Sequence, residues 1–227
     1  MRMVHIYSMT LRLSESYDLE VEEHGMLCKN LSTDHEKNWS PWISGNRELI
    51  ISYHLNPKHI IFIPGTDLSM CETQVESNLN IFSKITEYYG SQNISFSLST
   101  PAIYWRQTEY IAVGHVKLYP YEKRSYDAMI ETRTLSPHPA NLMRYYMFFY
   151  TFNFNTYNIK RISNAFVPPE SETNVIFPVG LVVKDNDVIV FYGDGDNSMK
   201  CLIIDRNIVE NMLFKDLRPE EFKFKLF

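Results

Sequence analysis

Short apolar runs separated by turn residues recur along this chain, and an amphipathic helical period is rare. Runs of this length, rich in β-branched and aromatic residues, are typical of strands. Asn56-Pro57, Pro64-Gly65 and the polar segment 184–187 separate neighbouring runs as turns. The predicted strands cover residues 4–13, 19–23, 49–54, 59–63, 71–76, 110–118, 144–154, 158–163, 175–183, 188–192 and 200–204.

One helix is predicted, close to the end of the chain. Asp205 can accept hydrogen bonds as its N-cap, and Ile208, Val209 and Met212 form an apolar face behind it. Residues 92–100 and 120–143 show little apolar periodicity, so we expect long loops there. No linker composition interrupts residues 1–227, which predicts a single domain.

Three segments of the chain repeat a pattern of strand, tight turn and strand. They read SPWISGNRELIISYH, TPAIYWRQTEYIAVGH and FPVGLVVKDNDVIVFYG, at intervals of roughly 60 to 80 residues. Repeated antiparallel units with long connections are typical of propeller blades. The predicted fold class is therefore all-β, a β-propeller-like domain with a short C-terminal helix. A generic sandwich with unrelated hairpins is the alternative.

Composition and charge argue against some kinds of binding partner. Hydrophobic residues make up 44% and charged residues 22%, as in an ordinary packed globule. The net charge of −5 and the lack of a basic cluster argue against nucleic acid as a partner, because phosphate neutralisation needs clustered Lys and Arg. No signal-like or membrane-spanning run is visible, which predicts a cytoplasmic protein without a membrane partner.

The three cysteines are Cys28, Cys71 and Cys201. They are odd in number and far apart, so they suggest neither a disulfide framework nor a zinc site, and we expect free buried thiols. His54 and His59 flank Pro57, which prevents the helical spacing of a metal-binding pair. We therefore predict no metal and no cofactor.

The same three segments carry a resemblance to a known family. In IFPVGLVVKDNDVIVFYGDGDN, the Phe-Pro-x-Gly strand followed by Tyr-Gly-x-x-Asp resembles the β-mannoside phosphorylases and hydrolases of glycoside hydrolase family 130 and their glycosyltransferase-like relatives. Pro101, Ile103 and His115 fit the family's Pro-Pro-Ile strand and the following strand that ends in His, although Ala102 replaces the second Pro. DHEKNWSPW with the later SYH is similar to the segment that carries a Lys and then a His. The resemblance implies a five-bladed propeller, incomplete at its N-terminal side, with a sugar site at the mouth of the blades.

The site implied by this resemblance gathers groups from strand ends of several blades. Carboxylates and amides pair with sugar hydroxyls, an aromatic face covers the apolar side of the ring, and a Lys with nearby His can hold phosphate. The predicted catalytic residues are Asp196 and Asp34, and the predicted substrate-binding residues are Lys37, His54, His115, Asp194, Trp39, Trp105 and Tyr192. Three of these residues have a structural alternative. Trp39 could be a core residue, Asp194 could stabilise a turn, and His115 could be a buried residue of a strand.

Two departures from the family pattern bear on activity. The chain lacks the Glu-Asp-Pro-Arg segment that carries the family's general acid, and Leu55 stands where the phosphorylases have an Arg after His54. Two hypotheses follow. The first is a carbohydrate-active enzyme acting on a glycoside or sugar phosphate, including a glycosyltransferase-like variant. The second is a non-catalytic carbohydrate-binding or assembly module, with a homo-oligomer covering its open sheet edges.

Overall fold

The computed structural model describes residues 7–13, 19–31, 38–66, 68–132, 143–195 and 197–227, with side chains from Gly25 onward. This part of the chain is mostly β, with sixteen strands in four sheets and three α-helices. No helix among these residues is long and apolar enough to cross a membrane.

The strands are numbered in chain order. They are β1 (Tyr7–Leu13), β2 (Leu19–Met26), β3 (Ser40–Ile43), β4 (Leu49–His54), β5 (Ile60–Pro64), β6 (Cys71–Val75), β7 (Ile94–Leu98), β8 (Ile103–Arg106), β9 (Glu109–Leu118), β10 (Arg144–Asn153), β11 (Ile159–Ile162), β12 (Ala165–Val167), β13 (Ile176–Lys184), β14 (Asp187–Asp194), β15 (Ser198–Asp205) and β16 (Phe224–Leu226). The helices are α1 (Ile81–Tyr89), α2 (Lys123–Glu131) and α3 (Arg206–Met212), and a 3-10 turn spans Pro219–Glu221.

The first large sheet is an antiparallel meander in the order β3-β4-β5-β6. Because neighbouring residues of a strand point to opposite faces, this sheet contributes side chains to two separate hydrophobic cores. Ile50 and Ile61 enter the main core, whereas Ile51 and Phe62 enter a small second core. The two inner strands, β4 and β5, therefore bury side chains on both faces of the sheet.

The central sheet has seven strands and is built on the long pair β9 and β10. These two strands pair antiparallel over their full ten residues, from Arg144 opposite Leu118 to Asn153 opposite Glu109. The sheet order is β16-β12-β10-β9-β7, with β11 also beside β10 and β8 also beside β9. Nearly every residue of β10 is buried, which explains its unbroken run of aromatic and apolar side chains.

A third sheet, β13-β14-β15, is again an antiparallel meander. The helix α3 follows β15 directly, and the Asp205 side chain accepts a hydrogen bond from the amide of Asn207. This confirms the predicted C-terminal helix and its cap. The pair β1 and β2 forms a sheet of its own.

The predicted strands are confirmed, since each overlaps an observed strand, but the single-helix prediction is wrong. Two further helices, α1 and α2, are present, and α2 lies within the segment 120–143 that was expected to be a loop. Asn80 caps α1 by accepting from the amides of Phe82 and Ser83. The expected loop 92–100 contains β7, in which Ile94, Phe96 and Leu98 alternate with serines.

The mostly β architecture agrees with the predicted fold class at that level. Three of the sheets contain the antiparallel strand-turn-strand units that the sequence repeats. An arrangement of five blades about an axis stays a prediction, as does a homo-oligomer that covers open sheet edges.

Candidate functional site

Three of the predicted site residues lie outside the described residues. These are the two predicted catalytic carboxylates, Asp34 and Asp196, and the predicted phosphate ligand Lys37.

Trp39 and His54 belong to the meander β3–β6. The Trp39 ring is half-buried and packs edge-on against Tyr53 and Phe62, with ring centroids 5.6 and 5.5 Å away. It therefore contributes to the second core, which was the structural alternative for this residue. His54 ends β4 and is exposed beside Tyr53.

The second core also contains a disulfide between Cys28 and Cys71, whose Cα atoms are 5.0 Å apart. The expectation that all three cysteines are free is therefore wrong, and Cys201 is the free thiol, exposed on β15. Sequence spacing missed this pair because 43 residues separate its members. Structural disulfides persist mainly in oxidising compartments, which weighs against the expected cytoplasmic location.

His115 lies fully buried in the middle of the central sheet. Its Nδ1 is 2.8 Å from the Ser99 hydroxyl oxygen. Its ring stacks on Tyr145 at 5.4 Å between centroids and contacts Phe177 at 4.7 Å. Side chains from β9, β10 and β13 therefore meet at His115.

Asp194 ends β14 as a buried carboxylate that organises the preceding loop. It accepts hydrogen bonds from the amides of Glu172 and Thr173, and Lys200 Nζ lies 2.9 Å away. Burial alone would raise the pKa of Asp194, but the hydrogen bonds from Thr173 and Glu172, with the Lys200 ammonium, lower it. The carboxylate is saturated by its own chain, as the turn-structural alternative requires.

Tyr192, two residues earlier on β14, is also buried. Burial raises the pKa of its phenol, which therefore stays neutral. Phe177 links this region to His115, since it contacts the imidazole and pairs with Gly193 of β14. His115, Tyr192 and Asp194 thus lie around one junction of two sheets.

Trp105 holds α3 against the central sheet. Its indole Nε1 donates to Glu210 Oε2 at 2.9 Å, and the Arg206 guanidinium lies over its ring at 4.5 Å. The indole is fully buried, which leaves little of its face for a sugar. The described candidates therefore fall in three places: the meander, the junction beside His115, and the contact with α3.

A different site is formed where three hairpin turns meet. The turns are those between β3 and β4, β8 and β9, and β10 and β11, and they enclose a cleft of about 430 Å³. The cleft combines aromatic rings with amide, hydroxyl and carboxylate groups. Its lining residues are Trp42, Ser44, Gly45, Asn46, Glu48, Tyr104, Gln107, Tyr110, Phe154, Asn155 and Tyr157.

The β3–β4 turn is fixed by its own hydrogen bonds. The amide of Ser44 donates to the carbonyl of Glu48 at 2.9 Å, and the Ser44 hydroxyl accepts from the amide of Glu48 at 3.1 Å. Arg47 takes the left-handed conformation, with φ 64°, that closes the turn. Gln107 does the same in the β8–β9 turn, with φ 44°.

Hydrogen bonds made by Asn153, His59 and Phe154 hold the β10–β11 turn in place. The Asn153 side chain accepts from the amides of Asn155 and Thr156 at 2.9 and 3.0 Å. The buried His59 donates from Nδ1 to the carbonyl oxygen of Tyr157 at 2.8 Å, since a carbonyl can only accept. The amide of Phe154 donates to the carbonyl of Thr108, which joins this turn to the β8–β9 turn. These bonds preorganise the cleft.

The cleft has an aromatic floor and an exposed aromatic rim. Trp42 and Tyr110 form the floor with ring centroids 4.6 Å apart, and the Trp42 indole donates to the Ser52 hydroxyl. Tyr104 is 61% exposed at the rim. Burial, together with the neighbouring Glu48 and Tyr110, raises the pKa of Tyr157, so this phenol is a neutral donor.

Sequence reasoning missed this cleft although it quoted two of its three turns. The sequence predicts SPWISGNRELIISYH and TPAIYWRQTEYIAVGH as hairpins, but it assigns function to His54 and His115, which lie away from the turns, and to Trp105, which does not line the cleft. The third turn, NFNTYN at residues 153–158, is a cluster of amides and aromatics between two predicted strands. That composition was the available signal.

Comparisons with known proteins give structural similarity at a low level only. No family model matches the chain, and no curated protein matches it. A crystal structure described as a "putative glycoside hydrolase" from Bacteroides ovatus ATCC 8483 aligns with a TM-score of 0.37 and 13% sequence identity. The alignment covers 77% of this chain and 52% of that protein, so the chain spans about half its length.

Proposed function

We propose that this chain binds a carbohydrate in the cleft between the three turns, which we name the turn cleft. The observation that carries the proposal is the lining itself, in which the amides of Asn46, Gln107 and Asn155 stand among five aromatic rings. A sugar ring has an apolar face and a polar edge. An aromatic floor covers the face, and amides and hydroxyls both donate to and accept from the edge.

Binding without hydrolysis fits the charges of the cleft. Among the described lining residues, Glu48 supplies the carboxylate, and the other polar groups are neutral. Inverting glycoside hydrolysis needs two carboxylates roughly 6.5 to 9.5 Å apart. The non-catalytic carbohydrate-binding module is therefore the better supported of the two hypotheses from the sequence.

A second candidate function is glycosyl transfer at the junction beside His115. The family resemblance motivates it, and the buried imidazole held between Tyr145 and Phe177 is the observation that favours it. In that proposal Asp196 and Asp34 are catalytic, while Lys37, His54 and His115 hold the sugar or its phosphate. The propeller-like arrangement of the sheets belongs to the same proposal.

The binding proposal is tested by calorimetric titration of the purified chain with neutral oligosaccharides, beginning with β-1,4-linked mannose and glucose oligomers. We expect Tyr104→Ala and Gln107→Ala each to weaken binding about tenfold, the value of one aromatic contact or hydrogen bond. Tyr126→Ala, which removes an exposed tyrosine of α2, is the matched control and should leave affinity unchanged.

The second candidate predicts the opposite pattern. Affinity or turnover would then depend on Asp196→Asn and not on Gln107→Ala. Titrations in which both cleft variants match the unmodified chain would exclude the turn cleft as the sugar site.

A further inference from the structure

The turn cleft continues into a second cleft of different chemistry. The second cleft has a volume of about 500 Å³. It shares five lining residues with the first: Trp42, Ser44, Gly45, Tyr104 and Tyr110. The residues that it adds are all apolar: Pro41, Ile43, Pro101, Ala102 and Ile103. We name these five residues the apolar shelf.

The apolar shelf lies between edge strands of two different sheets. Ile43 belongs to β3, the first strand of the meander, and Ile103 belongs to β8, beside β9 in the central sheet. The Ser40 hydroxyl joins the two edges by donating to the carbonyl of Thr100 at 2.5 Å. This buried hydrogen bond connects β3 to the segment that leads into β8, beside the shelf.

Water reaches much of the apolar shelf. Ile43 is 59% exposed, and Pro41 and Pro101 are also exposed. Burying such surface under a ligand group is favourable in proportion to the apolar area covered. Because Tyr104 borders both clefts, a ligand that crosses it places one end among amides and the other end on apolar carbon.

An added peptide strand is a poor occupant of this shelf. Strand addition depends on a continuous row of main-chain donors and acceptors along the edge. Pro41 has no amide hydrogen, and Pro residues of edge strands place that missing donor on the open side. The edge of β3 therefore offers side-chain carbon and an interrupted row of donors.

We propose that the ligand is a glycoside with an apolar aglycone, its sugar in the turn cleft and its aryl or alkyl group on the apolar shelf. This inference rests on the proposed carbohydrate binding and specifies the class of ligand. It assigns specificity to Ile43 and Ile103, residues that contact the aglycone and not the sugar.

The test compares methyl and hexyl glycosides of the same sugar by calorimetric titration, using the β-glycosides of mannose, glucose and galactose. Each buried methylene is worth up to roughly fourfold in affinity, so even partial burial of the hexyl chain gives at least about tenfold tighter binding. Ile43→Ser and Ile103→Ser should each reduce that preference and leave methyl glycoside affinity unchanged. Ile203→Ser is the matched control, since Ile203 on β15 has the same 59% exposure.

Four results would overturn the inference. Equal affinity for methyl and hexyl glycosides would leave carbohydrate binding intact and remove the aglycone site. Binding of 1-hexanol as tight as that of the hexyl glycosides would show an apolar site without sugar recognition. Binding of an extended Val-Thr-Val-Thr-Val peptide that Ile43→Ser weakens would assign the shelf to a protein strand. If hexyl glycosides do not bind at all, the inference fails, and the oligosaccharide titrations with Gln107→Ala decide the proposed function separately.

Discussion

At the scale of single residues, His59 connects the buried core to the wall of the cleft. Its imidazole is fully buried and lies between the carbonyl of Tyr157 and the hydroxyl of Ser52. Burial lowers the pKa of His59 from 6.5 to about 4, against a smaller opposing effect of the hydrogen bond to Tyr157. The folded protein therefore keeps this histidine neutral where the unfolded chain protonates it.

This difference predicts a stability that falls with acid. Between pH 6.5 and about 4 the unfolded chain binds the extra proton, so the free energy of unfolding decreases as the pH falls through that window. The expected loss between pH 7 and pH 5 is about 2 kcal/mol. Urea unfolding at several pH values measures it. His59→Gln should be less stable at pH 7 but should lose less stability on acidification, and an unchanged pH dependence in this variant would contradict the assignment.

At the scale of elements, residue patterns identify strands better than helices in this chain. The strand β4 is predicted to the residue because Leu49 to Tyr53 are mostly apolar and turns bound the strand on both sides. The helix α1 was missed because its buried residues, Phe82, Ile85 and Tyr89, are of types that also suit strands. The strand β7 was missed because two serines weaken its apolar signal.

The disulfide is the element-scale feature that the sequence could not give. It joins the turn after β2 to the start of β6 and closes a long loop that contains β3, β4 and β5. Only the folded register of these strands brings the two Cα atoms within reach. Pairing of distant cysteines is a property of the tertiary structure and leaves no local signal.

Removing the disulfide should lower the free energy of unfolding by about 2 to 4 kcal/mol, the range for cross-links that close loops of this size. Cys28→Ala with Cys71→Ala is the variant, and denaturant unfolding with and without reductant is the measurement. Reductant should destabilise the unmodified chain and leave the double variant unaffected. Cys201→Ala is the matched control and should change little because Cys201 is exposed. Titration of three reactive thiols in the unfolded, unreduced protein, where one is expected, would disprove the cross-link.

At the scale of the whole molecule, the mostly β character could be predicted from the sequence, and the cleft could not. Mostly β structure can be predicted because the hydrophobic pattern of each strand is visible within its own short segment of sequence. The cleft requires turns around residues 44–48, 107 and 153–157 to converge, and their approach depends on how the sheets pack. The family resemblance directed attention to strand ends such as Asp194, where the structure shows a carboxylate already saturated by Thr173 and Lys200.

Two adjacent aromatic residues of β8 make it possible to test effects on stability and on ligand binding separately. Tyr104 points to the cleft rim and is exposed, whereas Trp105 points inward and bonds to Glu210. Glu210 also pairs with the buried Arg161 at 2.6 Å, so the indole belongs to the polar network that joins α3 to the central sheet.

Trp105→Phe should therefore lower the free energy of unfolding by roughly 1 to 3 kcal/mol, since it removes a buried hydrogen bond and leaves a small void. Its affinity for a sugar ligand should remain that of the unmodified chain. Tyr104→Ala should behave in the reverse manner, with weaker binding and nearly unchanged stability. Thermal unfolding and calorimetric titration of the same two variants give both quantities. If Trp105→Phe weakens binding while the protein remains fully folded, Trp105 contacts the sugar as the sequence predicted, and the site extends beyond the turn cleft.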